Sequence, residues 1–123
     1  MDKRKVSYFV DENNGVVVAT IKNCHYDAVD FINENFISNV RNCLWFGSTY
    51  KHSERYHMQD TYKAIAKCNK EEDAFDVEFG KRLALGRLTD KYHKSLNKRI
   101  HNFIEDLDKV LDDAEDYLNK RES

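Results

Sequence analysis

From Asp76 to about Leu118 nothing in the chain interrupts a helix, because proline is absent throughout and glycine occurs in this stretch only at Gly80 and Gly86. Asp73 or Asp76 supplies an N-cap, and Asp76 and Glu78 suit the positive end of the helix dipole. A helix of roughly 45 residues is about 65 Å long. That exceeds the width of a head built from residues 1–75, so most of residues 76–123 is expected to pack on something else. The distal apolar pattern names a partner. Leu96, Ile100, Phe103, Leu107, Val110, Ala114 and Tyr117 follow alternating spacings of four and three, a heptad seam. The seam predicts self-association as a dimer or higher oligomer. A bend near His101-Asn102 that folds the helix back on itself is the alternative.

Charge gives the pairing a direction. Lys81, Arg82, Arg87, Lys91, Lys94, Lys98 and Arg99 make the proximal helix basic, whereas Glu105, Asp106, Asp108, Asp112, Asp113, Glu115 and Asp116 make the distal helix acidic. Antiparallel contact sets basic against acidic, and parallel contact stacks like charges. Two glycines within seven residues each cost about 1 kcal/mol against alanine, so something is expected to approach the backbone there, the sheet of the head above all.

The head reads as α+β. Val6–Val10 and Val16–Ile21 flank Asn14-Gly15, a strong short-range signal for a β-hairpin. Ala28, Phe31, Ile32 and Phe36 recur at helical spacing after Asn23, which is placed to cap a short helix lying across the hairpin. A strand is expected around Leu44–Phe46. Tyr62–Cys68 alternates in part and reads as a third or fourth strand, with a polar turn at Asn69–Asp73. The expected architecture is thus a small antiparallel sheet with one short helix, followed by the long C-terminal helix.

Composition narrows the function classes. Twenty basic and 22 acidic residues leave a net charge of −2, so nucleic acid is not a favoured partner unless cations concentrate locally. Cys24, Cys43 and Cys68 are too few and too irregular for a disulfide framework and fit free thiols in a reducing compartment. No apolar segment of signal or membrane-spanning length is present, so a soluble, unexported protein is expected.

Catalytic signatures are lacking: there is no nucleophile elbow, phosphate-binding glycine loop or paired-histidine metalloprotease motif, and an enzyme is not expected. Cys24, His25, Cys43, His52, His57 and Cys68 lack zinc-knuckle spacing, so no metal or other cofactor is assigned. Anion binding has more support. Arg87, Lys91, Lys94 and Lys98 form one helical stripe, with Arg82 before it. Trp45, Tyr50, Arg55 and Tyr56 add aromatic faces and a guanidinium, the groups that a purine ring and its phosphates require. The candidate ligand residues are therefore Trp45, Tyr50, Arg55, Tyr56, Arg82, Arg87 and Lys91.

Ala66-Lys67-Cys68, followed by Phe75-Asp76-Val77-Glu78-Phe79-Gly80-Lys81-Arg82-Leu83-Ala84-Leu85-Gly86-Arg87, resembles a group of small bacteriophage proteins. Their layout is reminiscent of a double-stranded-RNA-binding domain. Over residues 5–95 the chain is similar to the phage anti-Thoeris sponge family of the first type. The resemblance implies a homo-oligomer in the host bacterial cytoplasm that sequesters cyclic ADP-ribose-type signalling nucleotides without degrading them. It carries no ligand residue over to this sequence. Two alternatives are an anti-CRISPR inhibitor acting by protein-protein contact and a double-stranded-RNA-binding-like module.

Overall fold

A computed structural model of the chain describes residues 6–37, 54–68 and 75–122. The expected strand at Leu44–Phe46 and the polar turn at 69–73 lie outside the described residues, as do Trp45 and Tyr50.

Strands β1 (Ser7–Asp11) and β2 (Val16–Ile21) form the expected antiparallel hairpin, with Phe9 opposite Val18. Gly15 takes a φ of 65°, a conformation that favours glycine over most residues with a Cβ. The Asp11 carboxylate accepts from the Asn14 backbone N–H at 3.2 Å and from its amide at 2.7 Å. Strand β3 (Tyr62–Lys67) joins antiparallel on the far side of β2, giving the order β1-β2-β3. Cys68 N–H donates to the Gly15 carbonyl at 2.8 Å and ties the end of β3 to the hairpin turn.

Strict alternation assigns the two faces. Val17, Ala19 and Ile21 on β2 and Tyr62, Ala64 and Ala66 on β3 are buried, whereas Lys63, Ile65 and Lys67 are exposed. The inner face is rich in alanine, so a helix can approach it closely. The long helix α2 (Val77–Glu122) does so through Gly80, Ala84, Leu88, Tyr92 and Leu96, an interval of four that keeps one stripe on the sheet. Gly80 meets the sheet as expected: a Cβ built there falls 2.8 Å from Val17 Cγ2. Gly86 does not, since a Cβ there meets nothing within 4 Å among the described residues.

Asp76 caps α2, its carboxylate accepting from the N–H groups of Glu78 (3.0 Å) and Phe79 (3.2 Å). The helix is one uninterrupted piece of 46 residues and does not fold back at His101-Asn102. It is also less of an appendage than its length implies, because its first two-thirds form a wall of the head's core. Leu96, Ile100, Phe103 and Leu107, expected in a seam between chains, are packed within their own chain. Leu96 and Ile100 join the sheet core, and Phe103 and Leu107 join a second cluster with Val29, Ile32 and Tyr56. Spacings of four and three mark any buried helical stripe and do not distinguish a neighbour in the same chain from one in another. The remainder of the seam, Val110, Ala114 and Tyr117, is exposed, as is every residue from Asp108 to Glu122.

Helix α1 (Asp27–Ile32) continues as a wider π-helical turn over Asn33–Ile37. Asn23 does not cap it; it sits at a φ of 64° in the turn after β2, and Tyr26 occupies the cap position without a side-chain hydrogen bond. The helix does not lie across the hairpin but against α2. Val29 and Ile32 pack with Phe103, Ala28 reaches the sheet core, and Tyr92 Oη donates to Asp27 at 2.8 Å. No described helix is long and apolar enough to cross a membrane.

Candidate functional site

Among the described strands β3 lies at the edge of the sheet, and in an antiparallel ladder alternate carbonyls point away from the partner strand. Two of these find cations on α2. Arg87 Nη1 donates to the Ile65 carbonyl at 2.7 Å, and Lys91 Nζ donates to the Lys63 carbonyl at 3.0 Å. These contacts, with the Tyr62 hydroxyl on Ser95 Oγ, show that β3 runs antiparallel along the helix. They protect an edge otherwise open to pairing with another chain. Both side chains keep further donors, because a guanidinium has five N–H groups and an ammonium three.

The same contacts gather charge. Lys63 and Lys67 stand on the outer face of β3, beside Arg87 and Lys91, and Lys94 and Lys98 continue the flank along α2; all six are exposed. The nearest acid on this part of the helix is Asp90, an i,i+4 neighbour of Lys94. Between Lys63 and Lys67 projects Ile65, 56% exposed, and the strand register sets it in one row with Val18 and Phe9, itself 66% exposed. The result is an apolar strip across the open face of the sheet with a cationic rim along one edge.

The candidate ligand residues are only partly brought together. Arg87 and Lys91 share the rim. Arg82 is exposed, but five residues earlier on the helix it lies about 140° around the axis from Arg87. Lys81 is drawn to β1, its ammonium 5.6 Å from the centroid of the Tyr8 ring. Arg55 and Tyr56 are elsewhere, in a short 3-10 turn (Glu54–Tyr56) near the far end of the head. Arg55 Nη2 donates to Glu105 at 2.9 Å, its Nε lies 3.3 Å from Asp106, and the Tyr56 hydroxyl donates to the same Asp106. The hydrogen bond that Arg55 donates to Glu105 raises the Arg55 pKa above its ordinary value; desolvation opposes this, and Asp106 adds to the rise. Since β3 runs back along α2, the chain just before it sits toward the helix C-terminus, about 27 Å along the axis from Arg87. A single site containing Arg55, Tyr56, Arg82, Arg87 and Lys91 is therefore not formed within one chain.

Sequence reasoning missed Lys63 and Lys67. Their signal was the alternation Tyr62–Lys67, which puts both lysines on one strand face; placing that face beside Arg87 requires the pairing of β3 with α2. Among the candidate metal ligands, His25 and His57 come together with ring centroids 4.5 Å apart, and His25 Nδ1 lies 3.1 Å from the Met58 carbonyl. Cys24 is buried in the sheet core and Cys68 lies at the opposite end of β3. Among the described residues no group of three potential ligands occurs. Comparison of the chain with family models, curated proteins and solved structures finds no match.

Proposed function

We propose that this protein is a non-catalytic binding protein that holds a small phosphorylated nucleotide on the open face of its sheet, with the phosphates on the cationic rim. The observation that carries this reading is the convergence of Lys63, Lys67, Arg87 and Lys91 beside the row of exposed Phe9, half-buried Val18 and exposed Ile65, on a chain whose net charge is −2. A base lying over the apolar row removes Phe9 and Ile65 from water, and the neighbouring ammonium and guanidinium groups make charge-assisted hydrogen bonds to phosphate. No nucleophile, general base or metal is required, so the bound nucleotide is released unchanged.

The ligand class follows from the resemblance of residues 66–87 to the phage sponges. The nucleotide is a cyclic ADP-ribose-type immune signal, and the protein acts in the host bacterial cytoplasm by lowering its free concentration. Lys63→Glu with Lys67→Glu tests the location, because both side chains are exposed and the fold does not depend on them. Affinity for cyclic ADP-ribose isomers is expected to fall at least about tenfold, equivalent to roughly 1.4 kcal/mol. Unchanged affinity in a folded double variant refutes the site. Tight binding of duplex RNA with a steep salt dependence, and none of nucleotide, replaces this reading with a nucleic-acid one.

A further inference from the structure

Helix α2 carries a second stripe that the head does not consume. It begins at Phe79 and Leu83, passes Gly86, and reappears at Ile104, Leu111 and Leu118, all exposed. Phe79 is 56% exposed, Leu111 60% and Leu118 52%. The intervening steps, through Asp90, His93 and Asn97, alternate four and three without a break from 79 to 118, the a/d repeat of a coiled coil. Ile100 and Leu107, partly buried against the head, lend their outer edges to it.

We propose that this stripe docks the same stripe of a second copy of the chain, in antiparallel orientation. Three observations select that occupant. First, the stripe complements itself on reversal. Setting Gly86 against the partner's Leu111 places Phe79 against the partner's Leu118 and Leu83 against the partner's Ala114, an a position facing a d position in every layer. The two-fold axis then falls between Lys98 and Arg99. Second, Gly86 has no packing reason among the described residues of its own chain, yet a glycine in a helix interior is unfavourable. Opposite a leucine, the missing side chain makes room for the larger one.

Third, the charges match. Residues 77–101 carry seven basic and two acidic side chains, and residues 108–122 carry six acidic and three basic. Directly after the d residues Phe79, Gly86, His93, Ile100, Leu107 and Ala114, on the outer side of the pair, the acidic and basic side chains are Arg87 and Lys94 in the first half and Asp108 and Glu115 in the second. Antiparallel pairing brings Lys94 to the partner's Asp108 and Arg87 to the partner's Glu115, whereas parallel pairing opposes like charges. The polar residues Asp90, His93 and Asn97 lie toward the middle, where a polar a or d position lowers stability and specifies register and orientation. Arg87 and Lys94 belong to the cationic flank described above, so the pairing and the nucleotide reading share these two side chains, but the mass of the assembly is read without nucleotide.

Sedimentation equilibrium on the full chain tests the proposal. The wild-type protein is expected to approach twice the 14.6 kDa chain mass as its concentration rises. Leu111→Asp, at an exposed position, gives a monomer with unchanged circular dichroism. Asp108→Lys weakens pairing at least tenfold, and adding Lys94→Glu to the same chain restores it. A wild-type monomer at all concentrations up to about 100 µM overturns the proposal, as does a Leu111→Asp variant that still dimerises. No restoration by Lys94→Glu overturns the antiparallel direction.

Discussion

The two glycines of α2 make an internally controlled experiment. The same substitution, glycine to alanine, is expected to change stability with opposite sign at positions six residues apart. At either site the helix gains about 1 kcal/mol, because alanine loses less backbone freedom on folding. At Gly86 no described residue opposes that gain, since the new Cβ meets none of their atoms within 4 Å, and Gly86→Ala is stabilised by about 1 kcal/mol. At Gly80 the new Cβ lies 2.8 Å from Val17 Cγ2 and 3.6 Å from Val17 Cβ, and Phe75 closes the space from the other side at 3.8 Å. Val17 is fully buried in the sheet core and cannot swing into solvent, so relief requires α2 to lift from β2. Overpacking of this kind costs about 1–3 kcal/mol, leaving Gly80→Ala about 0–2 kcal/mol less stable than wild type. The gap between the variants is about 1–3 kcal/mol, on the order of 1 M in a urea midpoint. Both should be measured in the Leu111→Asp background, so that unfolding reports a single chain. Equal stabilisation at both positions would refute the close contact between α2 and β2.

Three further outcomes follow from the packing. Phe103→Ala removes a buried ring from the cluster with Val29, Ile32 and Tyr56 and should cost about 3–5 kcal/mol in urea unfolding, independent of protein concentration; a loss that grows on dilution would return Phe103 to an interface between chains. Asp76→Ala strips the cap from two backbone N–H groups at the start of α2 and should cost about 1 kcal/mol, measured in the same way, whereas no change would show the cap to be idle. Ending the chain after Lys109 removes residues 110–122, all exposed, with the last residue of the chain and should leave the melting temperature of the dilute protein unchanged while abolishing self-association; a lowered Tm at concentrations where the full chain is monomeric would show that the distal helix supports the head.

Local chemistry was legible in the sequence wherever a single segment decides it. Asn14-Gly15 between two β-branched runs produces the hairpin, the alternation from Tyr62 produces β3, and Asp76 before a proline-free stretch starts the helix. The failures lie where two segments meet. Asn23 looked like a cap because it precedes a helical pattern, but the chain uses it at positive φ to turn out of β2. The stripe from Leu96 to Leu107 looked like an interface because its period is correct for one, but α1, the sheet and Tyr56 already cover it. Arg55 looked like a ligand group and is paired with Glu105 and Asp106, fifty residues later in the sequence. Lys63 and Lys67 share one strand face by alternation, and only the contacts of Arg87 and Lys91 with β3 show which cations they join.

The central claim is that the basic rim and apolar row form a holding site for a nucleotide. It is tested most directly by calorimetric titration of the purified protein with cyclic ADP-ribose isomers and cyclic dinucleotides, followed by heat release and chromatography of the recovered ligand. The expected result is saturable binding of at least one of these nucleotides, with the compound recovered unchanged. Absence of heat with every nucleotide, or recovery of a cleaved product, would contradict the account.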